Sequence, residues 1–430
     1  MDTNTIAMLI LLGSFFLMLI MRVPIAFALG LSTLFTTWYL DIPLLIVAQQ
    51  MVKGINSFSL MAIPFFILAG EIMSEGGISK RLIDFSNVLI GRVRGGLAMV
   101  NILASMFFGG ISGSSVADTS SIGSIMIPMM EKEGYDKDYS INVTITSSTQ
   151  GVIIPPSHNM IIYSMAAGGI SVGKLFLGGM IPGILLGVSL MILSYAIAVK
   201  RHYPKGEKIS FSDAKKIISE SLLGLFTAII IVGGVLSGIF TATESAAIAA
   251  VYAFIITFFV YKDIPFKHMY VILRNSIKTL AIIMAIIATS SAFGWMMAYL
   301  KIPTLITQTL IGISSSKLVI LLIVNVVLLL LGMIMDMAPL IMIATPILLP
   351  VVTAVGMDPI QFGIVMMLNL GIGLITPPVG STLFVGCSIG GAKIEQIAKS
   401  LLPFYLLLFA YLMLITFIPQ ITLAIPNFFM

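Results

Sequence analysis

An all-α polytopic membrane protein is the fold class that this 430-residue sequence predicts, and three observations predict it. Hydrophobic residues make up 58% and charged residues 10% of the chain, against roughly 45–50% and 25% in soluble domains, and mean hydropathy is +1.10. A soluble chain with so few charges could not cover its own core. Apolar runs recur at the length that crosses a bilayer, about 20 residues. Four further apolar segments are interrupted at their centres, and an offset of 222 residues relates them in pairs.

The complete spans are predicted at 5–21, 24–40, 44–73, 176–199, 218–240, 245–261, 279–299 and 402–424. The opening MDTNTIAMLILLGSFF carries an acid and no basic n-region, so it reads as the first span and not as a cleaved signal peptide. Within 44–73 the start, PLLIVAQQMVKGIN, is too polar for one clean span and reads as interfacial. Lys80–Arg94 has amphipathic spacing and reads as an interfacial helix. Residues 97–130 and 318–350 carry GGISGSSVADTSS and LGMIMDMAP at their centres. Residues 139–167 and 360–389 carry GVIIPPSHN and GLITPPVGS. Consecutive prolines remove two backbone donors and end an α-helix. Irregular backbone at membrane depth survives only inside protein or beside a water-filled cavity.

Shifted by 222, the chain aligns without a gap at Gly110/Gly332, Pro128/Pro350, Gly134/Gly356, Asp136/Asp358, Gly151/Gly373, Pro155/Pro377, Pro156/Pro378, Gly168/Gly390 and Gly169/Gly391. Most of these are residues that set special backbone geometry, so two halves of one design are predicted. If 97–130 and 318–350 are re-entrant hairpins, Arg22, the blocks 80–94, 200–216 and 262–278, Lys132, Lys137, Lys393 and Lys399 fall on the cytoplasmic side. Of the 23 Lys and Arg, only Lys53, Lys174, Lys301 and Lys317 then remain outside, as the positive-inside rule asks. Both termini are then periplasmic, and the hairpins enter from opposite faces. Inverted repeats with broken helices near the midplane are the layout of secondary transporters.

The first hairpin tip, Gly109 to Ser115, sets three hydroxyls among three glycines. Glycines admit backbone carbonyls close to an ion, and neutral hydroxyl oxygens suit a hard monovalent cation such as Na⁺ better than a divalent one. Small-residue helix packing is the alternative reading of the tip alone. At the matching break the prolines free the carbonyls of Gly151 and Ile154, and the helix half starting at Ser157 offers free N–H groups to a substrate carboxylate. The second repeat supplies Gly373, Thr376, Pro377 and Pro378, followed by Ser381 and Thr382. Asp118, Asp336, Glu71 and Glu244 are the acids nearest membrane depth, where an acid is a functional hypothesis. Asp336 stands where the first repeat has Ser114 and is a candidate cation ligand; Asp118 could orient the first tip. Glu244 after Thr243 reads as a helix-start carboxylate, and Glu71 as the structural end of an apolar run. His158 reads as a packing residue or a proton relay.

Other chemistries lack their residues. Cys387 is the single cysteine, and His158, His202 and His268 are dispersed, which argues against a disulfide or a Cys/His metal site. No P-loop, G-x-S-x-G elbow or zincin motif occurs, and no nucleophile–base set of a membrane enzyme. An ion channel is the competing membrane reading, but no repeated selectivity filter is present.

IPFFILAGEIM (63–73), GGISGSSVADTSSIGSIMIPMMEKEGY (109–135), GVIIPPS (151–157), GIFTATESAAIAAVYA (238–253) and ITPPVG (375–380) together resemble the large membrane subunit of TRAP transporters, the DctM family. The resemblance covers nearly the whole chain. It implies Na⁺ symport of an organic acid, a C4-dicarboxylate, sialic acid or another sugar acid, across the bacterial inner membrane. It implies two partners, a small four-span membrane subunit as a separate chain and a soluble periplasmic binding protein. It implies an elevator, with transport-domain repeats at 97–175 and 318–392 and scaffold at 1–96, 176–317 and 393–430. The first Na⁺ site then falls on Ser112, Ser114, Gly151, Ile154 and Pro156, and the second on Gly332, Asp336, Gly373, Thr376 and Pro378. Substrate is expected at Ser115, Ser157, His158, Asn159, Ser381 and Thr382. His158-Asn159 is the least typical part of the motif, which points to substrate choice there.

Overall fold

A computed structural model describes residues 2–206, 209–314 and 316–429. Lys208, counted above with the cytoplasmic cations, lies outside these residues, as do Met1, Glu207, Ser315 and Met430. The described elements are helices, with one isolated bridge between Arg94 and Lys205.

The first half runs through α1 (Thr3–Ile20), α2 (Ile25–Tyr39), α3 (Leu44–Ile55), α4 (Ala62–Glu75), α5 (Ile78–Ile90), α6 (Gly96–Ser112), α7 (Ser115–Lys132), α8 (Lys137–Ser148), α9 (His158–Ala166) and α10 (Val172–Lys200). The second half runs through α11 (Phe211–Leu236), α12 (Ala242–Ile255), α13 (Met269–Tyr299), α14 (Ile302–Ile313), α15 (Lys317–Gly332), α16 (Met337–Ala354), α17 (Pro359–Leu374), α18 (Ser381–Gly390), α19 (Ile394–Ser400), α20 (Leu402–Phe417) and α21 (Pro419–Phe429). Among the described residues six helices are long and apolar enough to cross a membrane, or seven if the bent pair α19–α20 counts as one span.

The repeat reaches beyond the four segments that announce it. Adding 222 to the bounds of α7 returns 337–354, the bounds of α16, and α4 maps inside α13. The shared residues explain why. Gly134 and Gly356 take φ of 85° and 79° in matching turns, a region open mainly to glycine. Asp136 and Asp358 occupy the N-cap positions of α8 and α17. The Pro155–Pro156 and Pro377–Pro378 bonds are both cis.

Each half forms a helical hairpin, α6–α7 and α15–α16, whose arms touch. Its tip lies against a helix broken at the prolines, α8–α9 or α17–α18. The central helices are α8, buried from Tyr139 to Ser148, and α17, buried from Ile360 to Leu374. Six of the twelve residues of α8 are Ser, Thr or Asn, and its hydroxyls turn back onto their own helix. Thr144 donates to the Ser140 carbonyl at 2.8 Å, Thr146 to Asn142 at 2.6 Å, and Ser148 to Ile145 at 2.8 Å. Satisfied in this way, they escape the cost of burying bare polar groups.

Several boundaries differ from expectation. The 44–73 run divides into α3, a short 3₁₀ turn and α4, so its polar start is separate, as predicted. The expected span 402–424 breaks at Ile418, whose φ of −114° and ψ of 88° leave the helix just ahead of Pro419. The basic block 262–278 is only partly a loop. Helix α13 starts at Met269, because MYVILRNSIK contains no helix breaker. The cap of α12 is Thr241 and not Thr243: Thr241 Oγ1 accepts from the Glu244 N–H at 3.2 Å, and Glu244 reaches back to the Thr241 N–H at 2.8 Å. Glu244 is a helix-start carboxylate through this capping box.

Candidate functional site

Helices that stop inside a protein expose their end groups, and here eight such ends face one another. Helices α7, α9, α16 and α18 begin at Ser115, His158, Met337 and Ser381. Residues of all four N-termini line one cavity of about 600 Å³, at Ser114 to Ala117, His158 and Asn159, Asp336 to Ala338, and Ser381. The opposite ends, the C-termini of α6, α8, α15 and α17, run into the hairpin tips and proline breaks. A helix N-terminus presents N–H groups and positive potential, and a C-terminus presents carbonyls and negative potential. The arrangement can hold an anion in the cavity and cations at the tips behind it.

The tips are held by backbone contact. A Cβ on Gly151 would lie 2.8 Å from the Gly109 Cα, and one on Gly373 would lie 2.8 Å from the Gly332 Cα. Each tip therefore touches its own proline break through two glycines that leave no room for a side chain. Gly113 takes φ 62° at the end of α6, and its carbonyl accepts from Asn159 Nδ2 at 3.2 Å, tying tip to break a second time.

The residues predicted for the first Na⁺ site gather. Ser112 Oγ accepts from the Ser114 N–H at 3.4 Å, and Ser114 Oγ caps α7 by accepting from Ala117 N–H at 3.3 Å. Pro155 has no N–H to give the Gly151 carbonyl, so that oxygen lacks its helical donor. Gly151 and Pro156 are buried and Ile154 is half-buried. The donor set is neutral oxygen on glycine-rich backbone, which fits a monovalent cation. The second site gathers less fully. Asp336 caps α16 through Met337 N–H at 2.9 Å. The Gly373 carbonyl already accepts from Thr376 N–H at 2.9 Å, and Thr376 Oγ1 donates to the Ile372 carbonyl at 2.6 Å. Pro378 is exposed where Pro156 is buried. This set still offers one carboxylate, hydroxyl oxygen and the second lone pairs of carbonyls, which fits the same ion.

Of the predicted substrate residues, Ser115, His158, Asn159 and Ser381 line the cavity. Thr382 stands just behind, its hydroxyl 3.0 Å from Ser115 Oγ, which also meets Ser148 Oγ at 2.9 Å. One serine thus joins both repeats. Ser157 is fully buried, and its Oγ has no hydrogen-bond partner among the described residues. Asp118 is buried completely with both carboxylate oxygens unpartnered among the described residues, so no hydrogen bond from it orients the tip. Sequence reasoning missed the other wall. Glu71, Ser74 and Glu75 on α4 and Thr279 on α13 line the same cavity. Ser74 Oγ meets Ser121 Oγ of α7 at 2.5 Å. The spacing of Gly70, Glu71, Ser74 and Glu75 on one face of an otherwise apolar helix was the available signal.

A chain of two repeated halves, with broken helices meeting around one cavity, has the build of a membrane transporter. It belongs to the DctM family: the family model described as "Tripartite ATP-independent periplasmic transporter, DctM component" matches residues 12–421. The isethionate TRAP transporter permease protein DctMQ of Oleidesulfovibrio alaskensis is 41% identical over 98% of this chain, which spans 66% of that longer protein. The C4-dicarboxylate TRAP transporter large permease protein DctM of Vibrio cholerae is 38% identical, covering 96% of each chain. The sialic acid TRAP transporter large permease protein SiaM of the same species is 37% identical over 89% of this chain and 90% of its own. Among solved structures, the Alcanivorax borkumensis YdaH transporter shares the fold at TM-score 0.62 and 13% identity, covering 87% of this chain and 88% of that one. The isethionate, C4-dicarboxylate and sialic acid relatives are permease proteins of TRAP transporters, and the chain is a multi-pass membrane transport protein and not an enzyme.

Proposed function

We propose that the chain is the large membrane subunit of a tripartite bacterial importer that moves an organic acid by Na⁺ symport. The observation that carries this is the meeting of four helix N-termini around one cavity, with four carbonyl ends at the tips behind it. The N-termini supply an anion site without a cationic side chain. Ser112, Ser114, Gly151, Ile154 and Pro156 would hold one Na⁺, and Gly332, Asp336, Gly373, Thr376 and Pro378 a second. The ion contributes positive charge beside a carboxylate, while the serines, His158 and Asn159 orient the substrate. Relatives named for isethionate, C4-dicarboxylate and sialic acid support an organic anion as cargo.

The mechanism we infer is an elevator. The segments 97–175 and 318–392, holding both tips and both breaks, move as the transport domain against 1–96, 176–317 and 393–430. The cavity supports this division, because its far wall comes from α4 and α13, outside the moving segments. The partners are a soluble periplasmic binding protein and a small four-span subunit as a separate chain. In proteoliposomes with both partners, substrate accumulation should require an inward Na⁺ gradient. Equal accumulation with K⁺ or choline in place of Na⁺ rejects the coupling.

In the inner membrane the re-entrant hairpins are inverted, the basic loops cytoplasmic and both termini periplasmic. A cysteine replacing exposed Ser210 in a Cys387→Ser background should resist an impermeant thiol reagent in intact cells and react after permeabilisation. Labelling of intact cells overturns this orientation.

A further inference from the structure

A second cavity lies away from the four helix N-termini, where the C-terminal end of α10 meets the bend between α19 and α20. Pro403 has no N–H to give the Lys399 carbonyl, so the helix that ends at Ser400 resumes as α20 at an angle of 59°. The cavity beside this bend holds about 320 Å³, within the range of small-molecule sites.

Its charge is the reverse of the first cavity's. The described lining contains Lys200 and Arg201 and no carboxylate, whereas the first contains Glu71, Glu75 and Asp336 and no lysine or arginine. Arg201 is already held by Asp136 at 2.9 Å and Asp138 at 3.0 Å, both outside the lining. Lys200 is exposed and takes part in none of the ion pairs among the described residues. The first turn of α20 adds the positive end of a helix at Pro403 and Phe404. The polar floor is Asn142 of α8, which is buried. Its Nδ2 donates to Ser400 Oγ at 2.7 Å, and its Oδ1 has no hydrogen-bond partner among the described residues. Apolar surface adjoins. Val199 precedes Lys200, Leu402 precedes Pro403, and both are exposed, as is Leu406 one turn further along α20. Exposed apolar surface on a membrane-spanning chain faces lipid, so the cavity stands where that surface gives way to the basic block 200–216.

An anion entering here meets a free ammonium, a helix N-terminus and a buried acceptor that lacks a donor. A free phosphate would make no use of the apolar surface beside it. We propose that this cavity binds the headgroup of an anionic glycerophospholipid, phosphatidylglycerol. The phosphodiester lies between Lys200 and the first turn of α20. The glycerol hydroxyls reach the Asn142–Ser400 pair, and the acyl chains run over Val199, Leu402 and Leu406. Phosphatidylethanolamine is disfavoured, because it brings an ammonium to a lining that already holds two cations. The bound lipid fastens α8 to α10 and α20.

The test uses the full-length protein, delipidated and then offered defined lipids, with binding read by native mass spectrometry and by thermal stabilisation. The wild type should bind phosphatidylglycerol about tenfold more tightly than phosphatidylethanolamine, the worth of one charge-assisted hydrogen bond. Lys200→Gln, at an exposed position, should melt like the wild type without lipid and lose the preference. Ile197→Phe fills the cavity from its lining with both cations in place, and should lose the bound lipid too. Lys216→Gln removes an exposed cation of the same basic block from outside the lining, and should keep it. Equal affinity for the two lipids, unchanged binding by Lys200→Gln or Ile197→Phe, or an equal loss in Lys216→Gln overturns the proposal. Stabilisation by soluble glycerol phosphate as large as that by phosphatidylglycerol makes the ligand a free anion and overturns the lipid assignment.

Discussion

Gly151→Ala should bring Na⁺-driven uptake down to background while the protein still inserts and folds. The added Cβ would sit 2.8 Å from the Gly109 Cα, well inside the roughly 3.5–4.0 Å of a good carbon contact. Both atoms belong to rigid backbone, so no rotamer relieves the clash. Overpacking of this kind costs about 1–3 kcal/mol and occasionally more. The chain can avoid it only by lifting the hairpin tip off the proline break, and the proposed cation ligands then separate. Gly373→Ala should do the same in the second half, against the Gly332 Cα at 2.8 Å. Gly294→Ala is the control, because nothing lies within 4 Å of a Cβ there. Uptake by all three variants would be compared with their melting temperatures in detergent. Normal uptake by Gly151→Ala would falsify the contact as a functional element.

Asp336→Asn and Ser114→Ala should each weaken apparent Na⁺ affinity by about ten- to a hundredfold, the equivalent of roughly 1–3 kcal/mol for one ligating group. Asp336→Asn is the sharper probe. It keeps an oxygen to cap α16 at Met337 N–H and removes only the charge, whereas Asp336→Ala loses both and should be the more severe. Ser114→Ala also removes the cap on Ala117 N–H, which costs about 1 kcal/mol of helix stability. The Na⁺ dependence of uptake, fitted beside thermal stability, separates the two effects. Unaltered Na⁺ dependence in both variants would mean that the tips are packing elements.

Punctuation residues made the plan legible. Gly110/Gly332, the paired prolines and Asp136/Asp358 impose backbone geometry that no other residue supplies as well, so they keep their identity in both halves. From them came the two hairpins, the two breaks, and the tip-to-break pairing that Gly109–Gly151 and Gly332–Gly373 realise. The rest of the repeat was hidden. Helices α4 and α13 correspond in position, yet apolar side chains facing lipid or core exchange freely, and little identity is left to align. The early start of α13 and the break at Ile418 depend on local chain direction, which hydropathy does not encode. The cavity's second wall was illegible for another reason. Glu71 reads as the end of an apolar run until the fold sets α4 across from α7, a relation made by tertiary packing alone.

The polarity of α8 bears on how the protein is made. Its sequence, KDYSINVTITSS, is too hydrophilic to partition from the translocon into lipid unaided. Its hydroxyls are tolerated because α6, α7 and α18 enclose it. Its counterpart α17, PIQFGIVMMLNLGIGL, is apolar enough to enter by itself. Biogenesis of the two halves is therefore unequal. The later half can be threaded as it emerges from the ribosome, while α8 must wait at the interface for α18, made more than 200 residues later. A nascent chain stalled before α18 should leave α8 open to protease, and quality control would have a window there in which to recognise an unfinished transporter.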